Sequence, residues 1–329
     1  MISAALAPWL ILAVPLLGAA AGFLFWARPD RLKPWCVGTA AASLLPILAA
    51  WPRLGATTEG GLFLLLLPLS ACVSLLGQPI HRESRWAWVM TLVSLGLGLG
   101  VLTVTGSDGL LILTLLLGLI TIQLYWHHDP FWGPSWLGIA TCGLGGLSAA
   151  AAALTGSVVP TFLACAVLLP LVPLHHGYVA AVTRLPGSLP SFTVLLLPAI
   201  GLHRLAALVP TLPDLISTAI VILALSGAVY STIKALAQSR VRLLVAYGSL
   251  AFCSVLWWFI VEVRLVRPQA AVFLGSVALA TSGLLLAWQV IRSRYGDDVD
   301  FHAISGLAGR MPKFAVLLSL LALAAMGLP

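Results

Sequence analysis

Apolar runs long enough to cross a bilayer recur along almost the whole chain, and they leave few ways for it to fold. A membrane-spanning helix needs roughly 20 apolar residues. The sequence offers about twelve such runs, at 5–26, 35–52, 60–77, 86–105, 108–126, 134–155, 158–174, 190–209, 212–233, 241–263, 269–292 and 313–328. Only 8% of the 329 residues are charged, against about 25% in a soluble domain. Lipid cannot satisfy free backbone groups, so the runs must be helices or strands of a closed barrel. They are continuous rather than alternating, which selects helices. The expected fold is therefore all-α: one polytopic membrane helix bundle over 1–329. No Lys or Arg precedes Arg28, so the first run reads as a retained span and not a cleaved leader.

The net charge of +7 could suggest a nucleic-acid partner, but its placement argues against one. With these spans, thirteen of the seventeen Lys and Arg fall in odd-numbered loops: Arg28, Arg31, Lys33, Arg82, Arg85, Arg184, Lys234, Arg240, Arg242, Arg292, Arg294, Arg310 and Lys313. Arg53, Arg264 and Arg267 lie on the other side, and Arg204 lies near a helix end. This positive-inside bias puts the odd loops in the cytoplasm and the N-terminus outside, in a cell inner membrane. All ten acids sit in loops or at span ends.

Two segments look broken. LLPLVPLHHGYVAAVTRLPGSLP (168–190) carries four prolines and a His pair, and LLLPAIGLHRL (195–205) carries Pro198 and Gly201. A proline in a membrane helix frees a carbonyl that needs a protein or water partner. Either segment is a site-forming break of the transporter kind or a kink fitted to its neighbours. Gly96, Gly100, Gly138 and Gly146 favour close helix approach. GLGGLS (143–148) lies inside a span and lacks the Lys of a phosphate loop. Trp35, Trp51, Trp86, Trp88, Trp126 and Trp132 sit near span ends, as an interfacial belt would. Cys36, Cys72, Cys142, Cys165 and Cys253 lie inside apolar runs without CxxC spacing and read as small buried residues. The longest polar segment, 293–313, reads as a cytoplasmic connecting helix or loop.

Three blocks together resemble the antiporter-like subunits of respiratory complex I, chain M (chain 4) above all. PLVPLHHGYVAAVTRLPGS (170–188) is similar to the family's Pro-x-x-Pro-x-His stretch, matching at Pro170, Pro173, His175, Ala181 and Pro186. ALAQSRVRLLVAYGSLAF (235–252) resembles its Ala-x-Ala-Gln-x-Asp-x-Lys-Arg-Leu-x-Ala-Tyr-x-Ser segment. DVDFHAISGLAGRMPKFAVLLSLLALAAMGLP (298–329) resembles its Gly-Gly-Leu-x-x-[Lys/Arg]-Met-Pro run. The resemblance implies the N-terminal and central part of the antiporter-like fold. The chain stops inside a family motif, so it is expected to be truncated, split or a fragment, with the C-terminal spans absent.

The resemblance also implies titratable residues that this chain lacks. The family's fifth-span Glu falls on Gly118. Its Lys before the first proline falls on Leu168, and the next buried Lys on Ala199, or on Leu196 with a gap. The His after Ala-Tyr-x-Ser falls on Phe252, and a later His near Val277 or Ala278. Proton paths through a bundle need such groups, so these lost positions imply a member that does not pump.

The remaining ion-path candidates are His175, His203, Arg204, Lys234 and Arg242. His175 is the matched polar residue of the first break, and His176 reads as interfacial. Arg204 snorkels from a span end. Lys234 sits at a helix end where a cation suits the dipole, and Arg242 stands where the family has Lys. His127, His128 and Asp129 occupy one short loop without a fourth ligand, so no metal is expected. No catalytic constellation is present and no cofactor is expected.

The resemblance implies a membrane-arm subunit of a complex I-like, NADH- or quinone-linked ion-translocating assembly, itself non-pumping or weakly proton-conducting. Its partners would be other membrane subunits and the bilayer, not nucleic acid. The alternatives are a partner subunit of an Mrp-like cation/proton antiporter or inorganic-carbon uptake complex, or a degenerate fragment.

Overall fold

The computed structural model describes residues 6–54, 59–78, 85–127, 135–295 and 307–325, and these contain helices and turns but no strand. The helices are α1 (Ala7–Gly22), α2 (Pro29–Ala42), α3 (Leu44–Leu54), α4 (Glu59–Gly77), α5 (Arg85–Thr103), α6 (Gly106–Trp126), α7 (Trp136–Thr155), α8 (Val158–Leu168), α9 (His176–Arg184) and α10 (Leu189–Ala206). They continue with α11 (Asp214–Leu236), α12 (Val241–Val263), α13 (Pro268–Tyr295), α14 (Leu307–Arg310) and α15 (Pro312–Ala325). Among the described residues nine helical segments are long and apolar enough to cross a membrane, α2 and α3 together making one of them. Three shorter apolar helices, Gly61–Gly77, Val158–Leu168 and Pro312–Ala325, fall within three more of the about twelve expected runs but are shorter than a full span.

The α2/α3 junction follows from Pro46, which has no N–H to give the Ala42 carbonyl. Helix α5 and helix α10 are the most enclosed. Helix α10 touches α4, α5, α8, α9 and α13 and forms the axis of the bundle. Helix α1 lies close along α5. A Cβ at Gly96 would sit 2.8 Å from the Leu16 side chain, so the small residues expected to favour close approach do so here.

One end of the bundle is tied by basic side chains. Lys33 Nζ donates to the Leu76 and Gln78 carbonyls at 3.0 and 2.5 Å. Arg85 Nη1 donates to the Trp26 carbonyl at 2.6 Å, and Arg242 Nη1 to that of Thr183 at 3.1 Å. This basic end also holds the C-termini of α4, α9 and α11. At the opposite end Arg264 pairs with Asp214, with half of the Arg264 side chain and most of the Asp214 side chain exposed.

Three expectations change. The sequence puts the seventh span at 158–174, with the His pair beyond it. Instead α8 stops at Leu168 and α9 resumes at His176, so the break lies within one crossing that ends at Arg184. The second proposed break is not one: α10 is continuous through Pro198 and Gly201, because one lost hydrogen bond is tolerated inside a well-packed helix. Trp88 lies near the start of α5 but is fully buried, so it belongs to the core and not to an interfacial belt. Trp132 and residues 296–306 of the polar segment lie outside the described residues. Cys36, Cys142, Cys165 and Cys253 are buried and Cys72 partly so, and all are free thiols.

Candidate functional site

The α8–α9 break is built by its prolines. Pro170 cannot donate to the Ala166 carbonyl, and Leu171 N–H reaches back to it instead at 3.0 Å. The last regular bond of α8 runs from Leu169 N–H to the Cys165 carbonyl at 2.9 Å. The Leu169 carbonyl is left without a helical donor. The indole of Trp257 on α12 supplies one, Nε1 donating to it at 2.9 Å. Both residues are fully buried.

Helix α10 runs hard against this point. A Cβ at Gly201 would stand 2.5 Å from Leu169 N and 3.0 Å from the Leu168 Cβ. Glycine is required there by the close backbone approach. On the α11 side, a Cβ at Gly227 would meet Ser254 Oγ and the Val172 side chain, each at 3.1 Å. Ser254 Oγ is buried with no hydrogen-bond partner among the described residues.

His175 forms the N-terminal boundary of α9 and is 2% exposed. Neither ring nitrogen makes a well-formed hydrogen bond among the described residues, although the Pro173 carbonyl acts on the ring from nearby. The ring is walled by aromatic groups: His176 at 4.2 Å, Tyr230 at 5.5 Å and Tyr247 at 6.4 Å between centroids. Tyr230 and Tyr247 lie 6.3 Å apart. Lys234 Nζ lies 6.0 Å from the Tyr230 ring centroid, at the outer reach of a cation–π contact. Tyr230 and Tyr247 each lie six residues inside the basic ends of α11 and α12, about 9 Å at 1.5 Å per residue. His175 sits at that depth. Lys234 thus lies nearer the basic end than Tyr230 and His175.

The predicted site residues separate into three places. His175 and Lys234 share the aromatic niche. Arg242 is in the first turn of α12, tied to the end of α9. His203 and Arg204 are at the opposite end, in the last turn of α10. Arg204 Nη2 donates to the Val101 and Val104 carbonyls at 3.0 and 3.1 Å, at the C-terminus of α5, where a cation complements the helix dipole.

The positions where the resemblance implies titratable groups are apolar in structure as well as in sequence. Leu168, Leu196 and Ala199 are fully buried, and Ala278 nearly so. Phe252 stands edge-on to Phe273 with centroids 6.2 Å apart. A Cβ at Gly118 would meet nothing within 4 Å. No group of three or more His, Cys, Asp or Glu is placed to hold a metal among the described residues. His128 and Asp129 lie outside those residues. His127 places Nδ1 3.2 Å from the Gln123 carbonyl.

Sequence reasoning did not single out Tyr230. Tyr247 is the tyrosine of the Ala-Tyr-x-Ser motif, which assigns it no role. The available signal was spacing. Tyr230 lies one helical turn before Lys234 (i, i+4), and so shares its face.

The comparisons with known proteins bear on this geometry. The sequence profile of the NADH:quinone oxidoreductase/Mrp antiporter transmembrane family matches residues 113–329. The chain belongs to that family. No curated protein sequence matches it. Among solved structures, this antiporter-family chain is similar to one in the membrane-bound sulfane sulfur reductase, an archaeal respiratory membrane complex. The TM-score is 0.79 at 15% identity, covering 98% of this chain and 78% of that one. It is similar to a chain of respiratory complex I from Thermus thermophilus, with TM-score 0.73 and 19% identity over 97% of this chain and 79% of that one. A chain of the Mrp complex from Dietzia sp. DQ12-45-1b gives TM-score 0.77 at 15% identity, over 96% of this chain and 41% of that one. At such identities these likenesses establish a shared fold.

Proposed function

We propose that this antiporter-family chain is a membrane-arm subunit of a complex I-like ion-translocating assembly and does not itself pump protons. The observation that carries the reading is the apolar enclosure of Leu168 and Ala199, both 0% exposed, where the family resemblance puts lysines. A proton path through lipid relays between ionisable side chains. Here two of the implied relay positions hold only hydrocarbon, Gly118 holds no side chain, and Phe252 holds an aromatic ring.

On this reading the basic end faces the cytoplasm and the N-terminus lies outside, in a cell inner membrane. Residues 1–329 then make one membrane domain, corresponding to the N-terminal and central part of the antiporter-like fold. The His175–Tyr230–Lys234 niche lies on the basic side of the α8–α9 break, and on this reading it communicates with that side alone. It can take up water and exchange a proton with one side without passing it to the other. Arg242 anchors topology. Arg204 and His203, at the far end, are not in continuity with the niche. The partners are other membrane subunits.

The test is proton flux into proteoliposomes holding the purified chain, followed with a trapped pH-sensitive dye. No flux above that of empty vesicles is expected under a potassium-valinomycin voltage or a sodium gradient. Robust cation- or voltage-driven flux would sink the proposal. Co-purification in mild detergent separates the competing assemblies. NADH- or quinone-linked subunits support the complex I-like reading. Mrp-type subunits would support the second reading, which the likeness to the Mrp complex chain motivates.

A further inference from the structure

The end of the bundle opposite the basic one holds a charge with no counter-charge. The Arg204 guanidinium is wedged between α10, the end of α5 and the start of α6. Its Nη2 serves two backbone carbonyls, and its Nε is buried with no partner. No carboxylate among the described residues forms an ion pair with it. Carbonyl dipoles offset part of a full positive charge, and the half-buried guanidinium is left able to take an anion beside it.

A cavity lies beside it. It has a volume of about 290 Å³ and is lined by Arg204, Gly106, Ser107, Thr161 and a wall that includes Leu110 and Ala153. That volume is near the lower edge of the roughly 300–1,000 Å³ of small-ligand pockets. Two features of the lining favour negative charge. One is Arg204. The other is the first turn of α6, whose boundary residue Thr105 makes no side-chain cap, leaving backbone N–H groups and the positive helix end toward the same space. Asp108, the acid of that turn, is exposed and does not line the cavity. The rest of the wall is aliphatic, and it lies at the ends of spanning helices where headgroups meet acyl chains.

We propose that this cavity binds a phosphate-bearing anion, and that the anion is the headgroup of an acidic phospholipid. The phosphate sits against Arg204 and the start of α6, and the first acyl carbons lie on Leu110 and Ala153. The site is independent of the niche around His175 and of whether the chain conducts protons.

The test uses the full chain in a neutral detergent. Its thermal unfolding is titrated with phosphatidylglycerol, phosphatidylcholine and inorganic phosphate, and bound lipid is counted by native mass spectrometry. Wild type should be stabilised by phosphatidylglycerol at concentrations at least tenfold below those needed with phosphatidylcholine. Arg204→Gln should weaken phosphatidylglycerol binding by roughly tenfold or more, the scale of a lost charge-assisted hydrogen bond. Because Arg204 also caps α5, Ala153→Leu supplies the variant that fills the cavity and leaves those bonds in place. It should lose the lipid effect while keeping the lipid-free melting temperature within a few degrees. Stabilisation by inorganic phosphate alone, lost in Arg204→Gln, would keep the anion site and assign it to a free anion. Equal stabilisation by both lipids, or unchanged phosphatidylglycerol binding in both variants, overturns the proposal.

Discussion

Trp257→Phe tests the account of the helix break most directly. The substitution keeps an aromatic ring near Phe162, whose centroid lies 5.8 Å from that of Trp257. It removes the Nε1–H donated to the Leu169 carbonyl at 2.9 Å. That carbonyl is fully buried, and Pro173 stands where an unbroken helix would put its donor. Leaving it unpaired costs about 1–3 kcal/mol. The smaller ring adds a cavity cost, which needs a matched control. Trp88→Phe provides it. Trp88 is equally buried, but its Nε1 has no partner among the described residues, so the same deletion there breaks no hydrogen bond. The difference between the two variants isolates the bond and should be about 1–3 kcal/mol, with Trp257→Phe the less stable. Reversible unfolding in mixed bicelles, titrated with a denaturing detergent, reads it. If Trp257→Phe is no less stable than Trp88→Phe, the indole does not hold the break and the reasoning is wrong.

Other expectations follow from single positions. Gly201→Ala should destabilise the bundle by about 1–3 kcal/mol, because its Cβ would meet the Leu169 backbone. Gly118→Ala, with open space, should be neutral or gain about 0.5–1 kcal/mol of helix propensity; equal melting temperatures for the two would contradict the close approach of α10 to the break. Arg242→Gln should lower the amount of correctly assembled protein on native gels, with about 1–3 kcal/mol lost with its bond to the Thr183 carbonyl. Normal assembly with altered ion flux in the whole complex would show that Arg242 has another role. Asp214→Asn should change stability by less than about 1 kcal/mol, since an exposed ion pair is worth little, and a larger, salt-sensitive loss in detergent melts would contradict that.

Much of this architecture is legible in the sequence because lipid makes the rules strict. Continuous apolar runs give the crossings, and the proline pair at 170 and 173 marks the break. What composition cannot give is the partner of each freed group. Pro198 and Pro170 look alike in sequence, yet α10 runs on through the first and α8 stops just before the second. Pro170 is followed by Pro173, which leaves the Leu169 carbonyl without its helical donor too, and the partner of that carbonyl, Trp257, is 88 residues away. Trp88 misleads for the same reason: position near a span end is visible, but the neighbours that cover it are not. His175 was found through its motif, whereas the Tyr230 and Lys234 wall came from another helix. Arg204 was visible as a lone cation, but its cavity depends on four helix ends meeting in space.

The bond between Trp257 and Leu169 also bears on how charge could move through the protein. A proton hops along a chain of hydrogen bonds only if each member can accept one proton while giving up another, as water, imidazole and hydroxyl groups do. An indole N–H donates and cannot accept. By donating to the carbonyl that the broken helix exposes, Trp257 fills one of its two lone pairs with a group that cannot pass a proton on. In electrical terms the break is tied by a side chain that cannot relay charge, and on the proposal that this chain does not pump it serves as an insulated splice.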